Sequence, residues 1–463
     1  MPAGRAPEGA AEGRRLLLSS SEERVVQRVL DDGDELLELA SALIACDTTT
    51  RAAWDDPPRD EEKLQRLLAE RLAVTGAQVE VWEPEPLGPG HPYARLGLDF
   101  RGRPQLAAGW GGPGGPSLLL NGHIDAVEAG PADAWRHDPF RAVVEDGRLY
   151  GRGSADMKGG LAGLCFALEA LHRCDVRPRG AVVFCSNTDE ESSGAGGWAA
   201  VDHGVSADAG ICAEPTGFDA FVACRGATTG VLTVRGRAGH AELPQPDWTM
   251  GGAVNAIEKL LPLAGSLRHL RGRWQQRPEQ HPLLSPSSIV PTVIRGGEWS
   301  VTYPDSCSLV CDVQYTPRDA DAAGMGTLVQ AEVMRCALDA CSDDDWLAAH
   351  PPEWQWLDDS PPAEVRTDEG IVIAALGAAR SVGRPGEVAG LDSWHDAATF
   401  TLFGGTPTIS FGPGDLRAAH TVDEGVPVRD LIEYAAAVAV LVMRWCGIER
   451  RCCRGRPSPP GAR

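Results

Sequence analysis

In one short stretch the chain sets down His123, Asp125, Asp156, Glu190, Glu191 and Glu214. They lie in NGHIDAVEAG, GRGSADMKGG, NTDEESSGAG and CAEPT, each beside a glycine-rich turn or at the end of an apolar run. Imidazole with several carboxylates is the donor set that hard-to-borderline divalent metals take. Three carboxylate ligands are more than one zinc ion normally uses, so the set suggests two metals. Taken singly, each residue has a bland alternative. Asp125 can be a turn acid, Asp156 a helix N-cap, Glu190 with Glu191 a solvated acidic loop, and Glu214 a loop acid. Their joint placement at strand ends favours the metal site. His123 and Asp125 fall on one side of an extended segment, so Asp125 suits the task of taking the imidazole's other N–H. Glu190 and Glu191 are neighbours that in an extended segment point opposite ways, so one can bind metal while the other faces water.

The elements that must position these groups alternate between strand and helix. Residues 33–46 and 61–76 carry apolar residues at helical spacing, and 77–84 alternates as a strand. PSLLLNGHID, RGAVVFCSNTDEE and ADAGICAEPT are apolar runs that end in polar residues, which suits buried strands with function at their carboxyl ends. GGLAGLCFALEALHR is an apolar helix between them. The fold class is therefore α/β, with a mostly parallel sheet covered by helices. After about residue 220 the order becomes strand (225–240), helix (248–270), strands (287–297 and 305–317), helix (322–341) and strand (352–357). That β-α-β-β-α-β order is ferredoxin-like α+β, inserted into the first domain. The boundaries are 1–30 for a disordered leader, 31–219 and 359–448 for the two parts of the larger domain, 220–358 for the insert, and 449–463 for a disordered tail. The insert's first strand, RGATTGVLTVRG, is expected at an open sheet edge, which proteins usually pair or cover.

A chain of 463 residues is long for a single core, which agrees with two domains. The formal charge of -22 argues against nucleic acid or an anionic membrane as partner. No apolar run is long enough to span a bilayer, and MPAGRAPEGAAEGRR lacks the apolar middle of a secretory signal. The 13 cysteines are scattered through apolar segments and read as reduced thiols in a cytoplasmic protein. GGPGGPS lacks a P-loop lysine and reads as a hairpin turn. A serine hydrolase would want a G-x-S-x-G elbow, which is absent.

With these motifs in order, GHIDAV, GRGSADMKGG, TDEESSGAG, AEPT, GRAGHAE and FGPGDLRAAHTVDE, the chain resembles the M20 metallopeptidases and deacylases. That group includes acetylornithine deacetylase, succinyl-diaminopimelate desuccinylase, aminoacylase and carboxypeptidase G2. The likeness runs from the first helix to residue 448. It implies a hydrolase of small N-acyl amino acids or related amides, with dipeptidase or carboxypeptidase action and a non-catalytic metal-binding relative as alternatives. It implies two zinc ions, replaceable by cobalt, held by His123, Asp156, Glu191, Glu214 and His420, with Asp156 bridging. Asp125 and Glu190 join the catalytic set, Glu190 as general base. The insert would be a lid and dimerisation domain, making a homodimer. His240 in GRAGHAE would reach the active site, commonly from the partner subunit. The resemblance also implies a cis peptide after the bridging aspartate, at Asp156–Met157.

Several positions depart from that pattern. Val301 and Thr302 stand where relatives carry an Asn, Gln314 where they often show an Arg, and Ala241 where a Ser is frequent. Arg225, Arg237 and Arg295 are candidate substitutes for gripping a substrate carboxylate. His395 and Asp396 fall near a substrate-facing loop or form a structural salt link.

Overall fold

The computed structural model describes residues 17–50, 56–85 and 99–449. Its main sheet lays strands side by side in the order Gln78–Trp82, Gln105–Trp110, Val182–Asn187, Leu118–His123, Ala209–Cys212, Thr408–Ser410, Ala220–Cys224 and Ala363–Glu364. Val388–Leu391 also pairs with Ala220–Cys224. The four strands from Val182–Asn187 to Thr408–Ser410 are mutually parallel, and antiparallel neighbours flank them. Parallel strands are buried on both faces, and Leu118–His123 and Ala209–Cys212 are buried throughout.

Helices Lys158–Arg173 and Val428–Trp445 explain how one face is covered. Apolar residues run all round residues 159–168 of the first and 434–443 of the second, so these stretches have no face to give to water. Residues 434–443 of the second are completely buried, apart from a trace at its end. The two helices pack closely because Gly163 lies against Tyr434, where a Cβ would come within 2.7 Å of the ring.

The insert has a sheet and a core of its own. Its strands follow the order Ser288–Gly296, Ser306–Tyr315, Gly226–Arg235 and Glu353–Trp356, all antiparallel. In Ser306–Tyr315 burial alternates, with Cys307, Leu309, Cys311, Val313 and Tyr315 inward. That face packs on helices Ala256–Gln275 and Thr327–Cys341.

Four expectations change. Gly226–Arg235 is an interior strand, paired on both sides. The edges are Ser288–Gly296 and Glu353–Trp356, and on the first of them Val290, Val293 and Ile294 are exposed. The helix expected from 248 begins at Ala256, because Gly251 takes a positive φ of 92° and Asn255 caps the true start by accepting the Ile257 N–H at 3.0 Å. Ala220–Cys224 belongs to the main sheet, so the chain crosses to the insert at Arg225, later than the boundary at 219.

The fourth concerns the leader. Residues 1–16 lie outside the described residues, as do 450–463, but Ser20–Asp31 is a helix. Ser19 and Glu22 form a reciprocal cap at its start, Val25 and Val29 are fully buried, and Glu22 pairs with Arg444 at 2.6 Å. An amphipathic face and a capping box are what stabilise such a segment; the charged residues between the valines masked the pattern. Amide hydrogen exchange should find Val25–Asp31 protected to the level of neighbouring helices. Exchange at the rate of an unstructured peptide would return the segment to the leader.

Candidate active site

His123 ends the strand Leu118–His123, and Asp125 follows it. Glu190 and Glu191 follow Val182–Asn187, and Glu214 follows Ala209–Cys212. Asp156 immediately precedes the helix that Met157 caps, and the Asp156–Met157 peptide is cis. His420 stands beyond the end of Thr408–Ser410 with φ of 59°. All therefore gather at the carboxyl ends of the parallel strands, where open α/β sheets place ligands.

Asp156 is at the centre. Its Oδ1 lies 3.1 Å from His123 Nε2, and its Oδ2 lies 3.5 Å from His420 Nε2. Glu214 Oε1 and Glu190 Oε2 are each 4.0 Å from His123 Nε2. Glu191 Oε2 is 3.0 Å from His420 Nε2. One donor atom each from His123, Asp156 and Glu191 lie within 4.8 Å of one another. All these groups are buried except His420, whose side chain is 53% exposed.

Asp125 does a different job from the one its spacing suggested. The His123 Nδ1 lies 3.0 Å from the Asp125 backbone carbonyl and 3.6 Å from its carboxylate. The Asp125 carboxylate instead accepts the N–H of Glu190 at 3.2 Å and of Glu191 at 3.0 Å. The acidic pair is thus pinned by its backbone. It also occupies a turn rather than an extended segment: Asp189 has φ of 68°. That is why both neighbours reach inward, each toward a different histidine.

The charges explain the titration. Burial raises the Glu190 carboxyl well above its ordinary range, and Glu214 and Glu191 add to this against the pull of His123. Burial, with Asp156 beside it, does the same to Glu214. Glu191 is pushed up to about 7 by burial and by Asp156. Burial opposes the charge on Asp156, but hydrogen bonds to His123 and His420 outweigh it and hold its carboxyl low. Hydrogen bonds that His420 donates to Asp156 and Glu191 raise it to about 10. Burial works against a charged His123, yet Asp156 and the surrounding acids lift it well above its usual value.

Other residues hold this cluster from behind, and sequence reasoning missed them. Glu424, 1% exposed, accepts backbone N–H groups from the Asp156 loop. Arg103 is buried between Glu61 at 3.1 Å and Asp189 at 3.5 Å. Lys158 is buried, donates to the Cys46 carbonyl at 2.7 Å, and is lowered to about 8 by burial. Arg103 comes from a distant part of the chain, so no spacing marks it; Lys158, two residues after Asp156 in GRGSADMKGG, and the acid four residues after His420 were the local signals.

His240 is not brought to the cluster. It is exposed, its Nδ1 accepts the Glu242 N–H at 3.2 Å, and no hydrogen bond or ion pair among the described residues joins its ring to the cluster. His395 and Asp396 are buried. Ser410 Oγ lies 2.9 Å from His395 Nδ1, and Asp396 accepts from Asn187. Arg237 donates to the Trp248 and Gly252 carbonyls, and Arg295 is exposed on the edge strand. Arg225 is 6% exposed and its Nε and one terminal nitrogen have no hydrogen-bond partner.

The sequence profile described as Peptidase family M20/M25/M40 matches residues 119–444, which carry His123, Asp125, Asp156, Glu190, Glu191, Glu214 and His420. The chain belongs to this family. It is a metal-dependent M20 hydrolase acting on linear amides. It is 26% identical over 436 residues to the N-formyl-4-amino-5-aminomethyl-2-methylpyrimidine deformylase of Bacillus subtilis (strain 168), covering 91% of this chain and 96% of that one. It is 30% identical over 409 residues to a succinyl-diaminopimelate desuccinylase of Alkalilimnicola ehrlichii, covering 86% and 95%. Two solved structures share the fold. A tripeptidase of Staphylococcus aureus gives a TM-score of 0.67 at 20% identity, covering 89% of this chain and 98% of that one. A dinuclear metal binding peptidase from the M20 family, of Bacillus subtilis, gives 0.58 at 16% identity, covering 90% and 99%.

The donor set of this M20 hydrolase fits divalent cations. Two ligands of one tetrahedral ion, each about 2.0–2.2 Å from it, stand roughly 3.3–3.6 Å apart. The donor pairs here are spaced from 3.0 to 4.0 Å. Glu191 Oε1 is buried with no hydrogen-bond partner, an orphan that a cation would satisfy. Asp156 and Glu191 raise His420 to about 10, so a cation bound there competes with a proton. Metal uptake must displace it, so apparent affinity should fall about tenfold per pH unit of acidification for each proton released. Chelator competition across the neutral range measures this; an affinity indifferent to pH would overturn it.

Proposed function

We propose that this hydrolase is a two-metal deacylase that cleaves the amide bond of a small N-acyl amine or N-acyl amino acid. The observation that carries the reading is how Asp156 divides the donors. Its Oδ1 faces His123 beside Glu214, and its Oδ2 faces His420 beside Glu191. Two cations, zinc with cobalt able to substitute, would be held by these two groups, with Asp156 common to both. When bound they would lower the pKa of water and polarise the amide carbonyl.

Glu190 lies as near to His123 as Glu214 does, 4.0 Å, and it is the family likeness that assigns Glu214 to the metal and leaves Glu190 free as the base. It would take a proton from water and return it to the leaving amine. Asp125 keeps it aimed by holding its N–H. The balance is simple: the water oxygen bonds to the carbonyl carbon, the C–N bond breaks, and the water's proton passes through Glu190 to the amine nitrogen. The deformylase and desuccinylase relatives align over nearly the whole chain, which favours deacylation over dipeptidase or carboxypeptidase action. Glu190 speaks against a non-catalytic relative, because it has no metal to hold.

A chelator should abolish hydrolysis of N-formyl and N-succinyl amines, and zinc or cobalt should restore it. Glu190→Gln should keep its metal and lose about 10²–10⁴-fold or more in rate, whereas Glu191→Gln should lose metal. Activity in verified metal-free enzyme would sink the reading. Metal loss from the Glu190 variant would swap the two roles.

The partner in this reading is a second copy of the chain, joined through the insert acting as a lid. The support is the edge strand Ser288–Gly296 with its exposed Val290, Val293 and Ile294, since bare apolar edges are usually paired. His240, exposed and not joined to its own cluster by any hydrogen bond or ion pair among the described residues, would donate to the developing oxyanion of the other subunit. Mixing Glu190→Ala with His240→Ala, each inactive alone, should restore activity, because a mixed dimer holds one intact site. No recovery despite proven subunit exchange would exclude His240 in trans.

A further inference from the structure

One buried carboxylate that the reaction does not use ties together two segments of the catalytic domain, the loop before Asp156 and the stretch after His420. Glu424 is 1% exposed. Its Oε1 accepts the N–H of Ala155 at 2.8 Å and of Asp156 at 3.0 Å. Its Oε2 accepts the N–H of Gly153 at 3.1 Å and the Arg152 guanidinium at 2.7 Å. Its backbone carbonyl accepts the Gly151 N–H at 3.0 Å. Arg152 in turn stacks over the Trp135 ring at 5.0 Å and reaches the Glu128 carbonyl at 3.4 Å. The side chain thus draws the loop before Asp156 toward the segment that carries His420, four residues upstream of it.

We propose that Glu424 is a positioning residue for the metal centre, one that sets the spacing between Asp156 and His420. This rests on the two-metal reading above. The physical reason lies in numbers of donors and acceptors. Four N–H donors converge on two oxygens, and a carboxylate can accept all four. An amide cannot: whichever way it is flipped, its NH₂ faces two of those donors. The loop that presents Asp156 must then shift to escape. Arg152 supplies the charge that lets the carboxylate stay ionised in a site it shares with other acids. Groups that orient a ligand from behind commonly change metal affinity by about 10–100-fold when altered.

The test is metal affinity rather than turnover. Zinc is titrated into the full-length wild type, Glu424→Gln and Glu424→Asp, against a competing chelator, with thermal melting run in parallel. Glu424→Gln should bind zinc about 10–100-fold more weakly. Glu424→Asp, which keeps the charge and four acceptor sites on a shorter stem, should recover part of that loss. A purely structural role would lower the melting temperature and leave the zinc affinity of the folded protein unchanged, and that result overturns the proposal. If Glu424→Gln is not recovered folded, Glu424→Asp alone decides, with affinity weaker than wild type supporting the role and equal affinity overturning it. Wild type that binds no zinc would overturn the metal centre and this role together.

Discussion

One aspartate shared between two histidines is the interaction on which the rest of the structure depends. Asp156 gives one oxygen to His123 and the other to His420, and three glutamates crowd the same space. Like charges that close, removed from water, repel strongly. The fold answers with rigid supports behind the cluster, some of them cationic. Asp125 holds the backbone of the Glu190–Glu191 turn, Glu424 holds the backbone of the Asp156 loop, and Arg103 anchors Asp189 beneath the turn. The acids cannot relax apart, so the site keeps a standing demand for positive charge.

The surrounding polar groups show a division of labour. Acids that face the cavity lack sufficient partners, as the orphaned Glu191 Oε1 shows. Acids just behind them are well satisfied by N–H groups or by a guanidinium. Neither layer works alone. The satisfied layer fixes geometry, and the unsatisfied layer supplies affinity for what binds.

Much of this was legible in the sequence. The apolar runs ending in His123, Glu190 and Glu214 located strand ends, because parallel strands are buried on both faces and announce themselves as continuous apolar stretches. The order of elements in the insert gave its topology. Register did not follow from the same signals. Gly226–Arg235 alternates as an edge strand would, but its inner neighbour, Ser306–Tyr315, alternates in the same way, so burial on one face cannot tell edge from centre. The helix start at Ala256 was hidden behind a local turn. The roles of Asp125, Glu424 and Arg103 depend on what the folded chain brings against them from dozens or hundreds of residues away, which no spacing records. The helix Ser20–Asp31 was missed because only two valines on its inner face mark it.

The strand order also sets a sequence of events during synthesis. Thr408–Ser410 lies between Ala209–Cys212 and Ala220–Cys224, so a gap must stand open in the sheet while the whole insert is made. Contacts that span such a separation close late, because the loop-closure entropy must be met before any pairing rewards it. His420 and Glu424 follow that strand. Until they leave the ribosome, Asp156, Glu191 and Glu214 face an unfinished sheet without the last imidazole or the carboxylate that holds their loop. The nascent chain therefore passes through a stage in which an apolar slot and an acidic cluster are both open to water, a stage at which chaperones and early metal capture would each have something to recognise.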